Sequence, residues 1–451
     1  MTQLTSRPMP AGYATALADF THRYPDYGAH VHLDALRASD YARLDCTGHV
    51  YLDYTGGGLY ADSQLRKHHD LLTSNVFGNP HSQNPTSLAM THLVEQAREY
   101  VLHFFNADPD EYTVIFTPNA SGALKLVGES YPFAPGGRYA LLYDNHNSVN
   151  GIREFARARG AAVSYIPVRL PDLRVPTAHV LDVLATAAPA RPNLFSFPAQ
   201  SNFSGVQHPL DWVELAHARG WDVLLDSAAF TPTNRLDLSQ VKPDFVPLSF
   251  YKIFGYPTGV GALIARHAAL AKLRRPWFAG GTITITSVQG EGWHSLIPGA
   301  AGFEDGTVNY LNLPAVEIGL RHIAAIGIDA IHDRVMALTG WLLAQMTALT
   351  HSNGAPLVHI FGPTQPDARG GTIAFSLCDP AGEDFDFRRV EAAAAERLIS
   401  LRTGCFCNPG DGEVAHHLGR EEMACYFTGA APASFYEFYD LLHVATGKTP
   451  S

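Results

Sequence analysis

WDVLLD at 221–226, FVPLSF at 245–250 and GVGALI at 259–264 are three short apolar runs, each bounded by polar or glycine-rich residues. Runs of that length and composition read as strands buried on both faces. The same signal recurs upstream. TVIF (113–116) precedes a helical pattern from Ser121, and YALLY (139–143) precedes one that starts at Ser148 and stops at Gly160. AAVSYI (161–166) and NLFSF (193–197) read as further strands, and Leu210–Arg219 as a helix ending at Gly220. From Tyr112 to Ala271 the alternation predicts βαβ units. The fold class is therefore α/β, a mostly parallel sheet with helices on both faces.

The flanks differ. Ser87–Phe105 repeats apolar residues at helical spacing (Leu88, Leu93, Val94, Ala97, Val101, Phe104) and stops at Asn106 and Asp108-Pro109. After Thr307 the pattern changes to long helices, at Leu313–Ile326, Asp329–Leu349, Asp386–Leu398 and from Ser434. HSNGAP (351–356) and DPAGED (379–384) read as surface turns between them. The expected division is an N-terminal segment, 1–45, packing near the small domain, a large domain, 46–310, and a smaller α+β domain, 311–451.

Composition narrows the function. The chain has 451 residues, 46% hydrophobic and 17% charged, which supports a large core and argues against disorder. Its net charge of −11 argues against a broad nucleic-acid-binding face. No apolar run of about 18 residues predicts a spanning helix, so no membrane association is expected. MTQLTSRPMPAGYA (1–14) has no signal-like apolar region. Five cysteines, Cys46, Cys378, Cys405, Cys407 and Cys425, are too few and odd in number for a disulfide framework, which points to a reduced, cytoplasmic protein. No metal is expected: Cys405 and Cys407 lack a second ligand pair. His68, His69, His81, His416 and His417 lack metal-ligand spacing and read as loop or surface residues, with His81 the exception that could line a site.

In open α/β sheets ligands bind at the carboxyl ends of the strands. Those ends carry TPNASG (117–122), DNHNS (144–148), QSN (200–202), Asp226, Ser249 and Lys252. An acid closing an apolar strand is desolvated unless paired. A lysine before the turn FGYPTGVG (254–261) can be partly buried, which lowers its pKa and makes its amine a nucleophile. Pyridoxal phosphate needs such a lysine, a carboxylate at its ring nitrogen and a phosphate cradle. Asp226 would serve the nitrogen, the helix start at Asn119-Ala120-Ser121 the phosphate. Ser249 would add a hydroxyl and His146 a ring to stack. The plainer alternatives are a capping or salt-bridging Asp and a solvated Lys. Gly255, Gly259 and Gly261 do not form GxGxxG.

SFYKIFGYPTGVGALI (249–264), VLLDSAAF (223–230), FTPNASGALKLV (116–127), DNHNSVNGIREFA (144–156), GNPHSQNP (78–85), FAGGT (278–282) and LRTGCFCNPG (401–410) resemble the cysteine-desulfurase-like domain of molybdenum cofactor sulfurases, within the class V aminotransferases. The resemblance implies a fold-type I pyridoxal-phosphate enzyme with a seven-stranded sheet. It implies Lys252 as the Schiff-base lysine, Asp226 at the ring nitrogen, His146 stacked on the ring and Asn202 near the ring hydroxyl and substrate carboxylate. Ala120, Ser121 and Ser249 would cradle the phosphate, with Thr282 reaching it from the partner of a homodimer. Arg402 would bind the substrate carboxylate, and His81 would border the entrance. Cys407 would receive sulfur as a persulfide, with Cys405 its competitor; Cys46, Cys378 and Cys425 read as structural.

Departures bear on the substrate. The chain ends near residue 451, where the eukaryotic sulfurases continue into a further domain, so sulfur transfer to the molybdenum cofactor is not expected. Pro432 stands where the family carries an arginine, leaving Arg402 or Arg420 for a carboxylate. Asp411-Gly412 replaces Ala-Cys and Tyr54-Thr55 replaces His-Ala, both expected at the substrate mouth; Tyr251 agrees with the sulfurase branch. The expected activity is C–S cleavage of cysteine or a cysteine derivative, with a protein or small molecule as possible sulfur acceptor. The alternatives are a C–S lyase, β-eliminase or other specialised class V enzyme of secondary metabolism acting without a persulfide, and a non-catalytic cofactor-binding scaffold.

Overall fold

The computed structural model describes residues 11–427 together with 437 and 440. Seven strands form the central sheet: β1 (Tyr112–Thr117), β2 (Arg138–Leu142), β3 (Ala162–Ile166), β4 (Asn193–Pro198), β5 (Asp222–Asp226), β6 (Phe245–Ser249) and β7 (Gly261–Arg266). Their order is β1-β7-β6-β5-β4-β2-β3. Only β7 runs against its neighbours, pairing antiparallel with β1 and β6.

Alternate residues of these strands enter opposite faces. Leu142, Phe195, Phe197, Val223, Leu225, Val246, Leu248 and Ile264 join one apolar cluster. Tyr139, Leu141, Leu194, Leu224, Phe245 and Leu263 join another. Each such buried side chain is worth about 1.5–3 kcal/mol, which is why the inner strands read as continuous apolar runs.

Helix α1 (Pro85–Phe104) covers the first face through Met90, Val94, Ala97 and Val101. It starts earlier than its apolar pattern, because Asn84 accepts the Ser87 N–H at 3.0 Å and Pro85 occupies the first turn. Leu88, part of the expected stripe, stays exposed. Helix α2 (Ala120–Ser130) covers the second face through Ala123, Leu124 and Val127. The short helix α3 (Phe250–Phe254) continues directly from β6 and carries Lys252.

Beyond the sheet come α4 (Leu313–Ile326), α5 (Ile328–Thr347), the antiparallel pair β8 (Val358–Phe361) and β9 (Ala374–Leu377), α6 (Phe387–Ala395) and α7 (Pro409–Ala415). Helix α6 ends three residues short of the expected Leu398, which takes a left-handed φ of 55°. The helix expected from Ser434 begins outside the described residues. Near the N-terminus, Arg334 of α5 stacks on the Tyr27 ring, 3.6 Å from its centroid, and ties 25–34 to α5 through the Tyr27 carbonyl at 3.3 Å. Val50–Tyr51 pairs in parallel with Ile399–Ser400, which brings the segment 51–58 that holds Tyr54-Thr55 beside LRTGCFCNPG.

His68 and His416 correct the reading of loop or surface histidines. His68 is buried, with one ring nitrogen 2.8 Å from the Tyr256 hydroxyl and the other 2.8 Å from the Leu311 carbonyl. His416 is buried against the Phe361 ring. Cys378 is buried, whereas Cys46 is exposed. The side chain of Cys425 lies outside the described residues.

Candidate active site

Register brings the polar strand ends together. Asp226 of β5 pairs with Pro198 of β4, and Gly261 of β7 stands opposite both Ser249 and Thr117. The result is a cavity of about 130 Å³ lined by Ala120, Ser121, His146, Asn202, Asp226, Ser249, Tyr251 and Lys252, among others. Seven of the expected site residues thus share one wall-to-wall space.

Lys252 is the electrostatic centre. Burial pushes its ammonium below the ordinary lysine range, Asp226 opposes that, Arg402 reinforces it, and Cys407 opposes it again. Asp226 is buried; its Oδ1 accepts the Ala228 N–H at 3.1 Å, and Oδ2 has no hydrogen-bond partner among the described residues. Burial also lowers the His146 pKa, Asp226 raises it and Lys252 lowers it. His146 Nδ1 accepts the Ser148 N–H at 3.1 Å, which places any ring proton on Nε2.

The start of α2 forms one end of the cavity. Asn119 caps it, accepting the Gly122 N–H at 2.9 Å, and Ser249 Oγ accepts the Ala120 N–H at 2.9 Å. The Ser121 N–H has no partner among the described residues, and its hydroxyl lies 2.6 Å from that of Ser148. Unpaired N–H groups at a helix N-terminus favour an anion.

The backbone of 55–58 runs beneath α3, where the Gly58 N–H donates to the Tyr251 carbonyl at 3.0 Å. A Cβ at Gly58 would stand 3.0 Å from the Lys252 carbonyl oxygen and 3.3 Å from two further backbone atoms, so a side chain there would crowd α3. Tyr54, Thr55, Asp53 and Arg402 line a larger adjoining cavity of about 600 Å³, which shares Gln200, Asn202, Ala228, Ala229 and Lys252 with the smaller one.

Cys407 is exposed, and both it and Phe406 adopt left-handed φ values, 58° and 53°. That conformation costs a non-glycine residue roughly 1–2 kcal/mol. It is held by Asn202 Nδ2, which donates to the Phe406 carbonyl at 2.6 Å, and by the Asn147 N–H, which donates to the Cys407 carbonyl at 2.7 Å. Cys405 is half-buried, and burial raises its thiol pKa.

Four expected residues lie outside the smaller cavity; one is Cys407, which lines neither cavity although its neighbour Phe406 lines the larger. Arg402 lines the larger cavity, where it forms a bidentate pair with Asp53. Thr282 is fully buried; its hydroxyl donates to the Ala279 carbonyl at 2.8 Å and accepts the Ala279 N–H at 3.0 Å. His81 is exposed on the 78–85 segment, and neither it nor Thr282 lines the two cavities. Pro432 lies outside the described residues. Asp411 corrects the expectation of a mouth residue: it is fully buried behind the Cys407 segment.

Sequence reasoning missed the support for that segment. Asn408 caps α7 and reaches Asp144, Ser201 and Asn202, while Asp411 accepts from Ser201. The available signal was an Asn followed three residues on by an acid, a helix-start pattern inside NPGD (408–411).

The chain belongs to the aminotransferase class-V family, whose model matches residues 50–437. Members of that family use pyridoxal phosphate. Among its relatives, the molybdenum cofactor sulfurase of Bos taurus is 39% identical over 409 residues, 86% of this chain and 46% of that protein. That of Solanum lycopersicum is 35% identical over 456 residues, 95% of this chain and 55% of that protein. The chain thus spans about half the length of these curated relatives. The structure is similar to the apo cysteine desulfurase of Thermococcus onnurineus NA1, with a TM-score of 0.70 at 21% identity over 91% of this chain and 96% of that one.

The donor set fits pyridoxal phosphate. A lysine with a lowered pKa, a buried carboxylate with one oxygen unpaired, and a helix start with an unpaired N–H surround one cavity.

Proposed function

We propose that this chain is a pyridoxal-phosphate enzyme that cleaves the C–S bond of cysteine or a cysteine derivative, with Cys407 as sulfur acceptor. The observation that carries the reading is Lys252 in one cavity with Asp226 and His146, with Asn202 of the same cavity holding the Phe406 carbonyl next to Cys407. The bound cofactor would supply an electron sink for bonds at the substrate's α- and β-carbons.

The chain's own residues have distinct tasks. Asp226 would hold a proton on the ring nitrogen. The α2 start and Ser249 would hold the phosphate, and His146, whose pKa burial lowers, would pack on the ring. The Lys252 amine, less basic than usual through burial, would hold the cofactor through its aldehyde carbon and would serve as the base that moves protons at the substrate carbons. Asn202 and Arg402 orient the substrate carboxylate. At Cys407 an S–S bond forms as the substrate's Cβ–S bond breaks. The released electron pair is protonated on carbon, so one cysteine yields one alanine and one enzyme persulfide. A thiol of a protein or small molecule then takes the terminal sulfur.

The free cysteines support a reducing, cytoplasmic setting. A homodimer is supported by the exposed Trp277, Ile285, Val288 and Trp293 on the segment that carries Thr282. The commitment of Arg402 to Asp53 supports a second reading, C–S elimination from a modified cysteine without a persulfide.

The test adds L-cysteine and a panel of S-substituted cysteines to the purified, cofactor-loaded chain, followed by absorbance and product mass. L-cysteine should give alanine and a persulfide on the Cys407 peptide, and Cys407→Ala should abolish that sulfur release. Release that survives Cys407→Ala overturns the persulfide route. Inertness toward the whole panel overturns the reading.

A further inference from the structure

Behind Cys407 lies a polar cluster that the proposed reaction does not use. Asp144, Ser201, Ser204, His208, Asn408 and Asp411 are all buried. Asp144 follows β2, residues 201–208 follow β4, and Asn408 and Asp411 open α7. Ser201 Oγ donates to Asp411 Oδ2 at 2.6 Å and accepts the Phe203 and Ser204 N–H groups, both at 3.2 Å. Asn408 Nδ2 reaches Asp411 Oδ2 at 3.3 Å, the Asp144 carbonyl at 2.9 Å and Asn202 Oδ1 at 3.2 Å. Asn408 directly follows Cys407, and Asn202 is the residue that holds the Phe406 carbonyl.

We propose that Asp411 is a positioning residue: through Ser201 and Asn408 it holds the strained Cys407 segment against the Lys252 cavity. The inference rests on the reading of Cys407 as the working thiol.

The state of the carboxyl group follows from its surroundings. Asp144 Oδ1 and Asp411 Oδ1 are both buried without a hydrogen-bond partner. Asp144 Oδ2 lies 2.6 Å from His208 Nε2, whose ring stacks on Trp212. Burial and the neighbouring Asp144 push the Asp411 carboxyl well above the usual carboxylate range. The groups facing Asp411 are Asp144, with His208 behind it, Ser201 and Ser204 from the 201–208 segment, and Asn408 on its own helix. No salt bridge joins Asp411 to a lysine or arginine among the described residues. A neutral Asp411 therefore sits quietly beside Asp144. Its ionisation would set two negative charges together in a buried space, and separation of α7 from the strand ends would relieve them, loosening Cys407.

The experiment follows alkylation of Cys407 by iodoacetamide in the cofactor-loaded chain, from about pH 6 to about pH 9, by peptide mass spectrometry. In the parent chain the rate should rise with pH more steeply than thiol ionisation alone. Asp411→Asn, which keeps a neutral polar group, should react like the parent at low pH and lose the extra rise. Asp411→Ala should react about tenfold faster at low pH. Ser201→Ala removes the same bond from the other side and should behave like Asp411→Ala, which covers a failure of that variant to fold. Parent-like rates in both alanine variants, or an Asn variant as fast as the alanine ones, overturn the proposal. Because alkylation reads the segment without turnover, an inactive enzyme with these rates would sink the desulfurase reading alone.

Discussion

Arg402 and Asp53 form a two-point ion pair, Nε to Oδ1 at 2.7 Å and Nη2 to Oδ2 at 3.0 Å, across the joint where Val50–Tyr51 pairs with Ile399–Ser400. The geometry leaves Nη1 as the end of the guanidinium without a hydrogen bond to Asp53. A substrate carboxylate would meet an arginine already oriented but only partly available.

Arg402→Ala is therefore expected to raise KM for an amino-acid substrate about tenfold or more, since a charge-assisted hydrogen bond is worth about 1.5–3 kcal/mol. Asp53→Asn should change KM less, because the guanidinium remains. Steady-state kinetics on the two variants checks this. An unchanged KM in Arg402→Ala would assign the carboxylate to another group.

The two neighbouring cysteines should differ in reactivity. Cys407 is exposed, while burial raises the Cys405 thiol pKa. A limiting dose of iodoacetamide near neutral pH should label the Cys407 Sγ before that of Cys405, as read by tandem mass spectrometry. Equal labelling would remove the structural reason for preferring Cys407.

Gly410 marks where α7 meets the sheet: a Cβ there would stand 2.2 Å from the Tyr143 carbonyl oxygen and 2.8 Å from its carbonyl carbon, both backbone atoms. Gly410→Ala must shift one of the two segments, at a cost of about 1–3 kcal/mol. A lower denaturant midpoint with slower turnover is the expected result. Unchanged stability would mean that α7 is free to move away.

His416 sets an acid limit on stability. Burial pushes its pKa down from the ordinary 6.5 to about 4. Below 6.5 the unfolded chain takes up a proton that the folded chain refuses until about 4, so stability falls as pH drops through that window. His416→Gln should flatten the Tm-against-pH curve over that range. A variant that loses stability as steeply as the parent would place the acid limit elsewhere.

Six of the seven strands were legible because they are buried on one or both faces and so read as apolar runs; the edge strand Ala162–Ile166 is mostly half-buried yet keeps an apolar composition. Lys252 and Asp226 were legible because an ionisable group closing such a run stands out. Tyr54-Thr55 was placed near the mouth, and both residues line the larger cavity. Asp411 was not legible as a buried group. Its burial comes from packing against Asp144 and Ser201, more than two hundred residues away in the chain, which no local pattern encodes. His68 was misread for the same reason, since both its partners lie in distant segments.

By itself, the sequence determined the strand and helix pattern, the strand-end location of the polar groups and the kinship of the motifs, because burial and turn chemistry leave local marks. Only the tertiary structure decided that Arg402 is engaged by Asp53, that Thr282 spends its hydroxyl on its own turn, and that the Cys407 segment rests on Asn202, Asn408 and Asp411. Those facts depend on which distant groups come within hydrogen-bonding distance, and chain packing alone sets that.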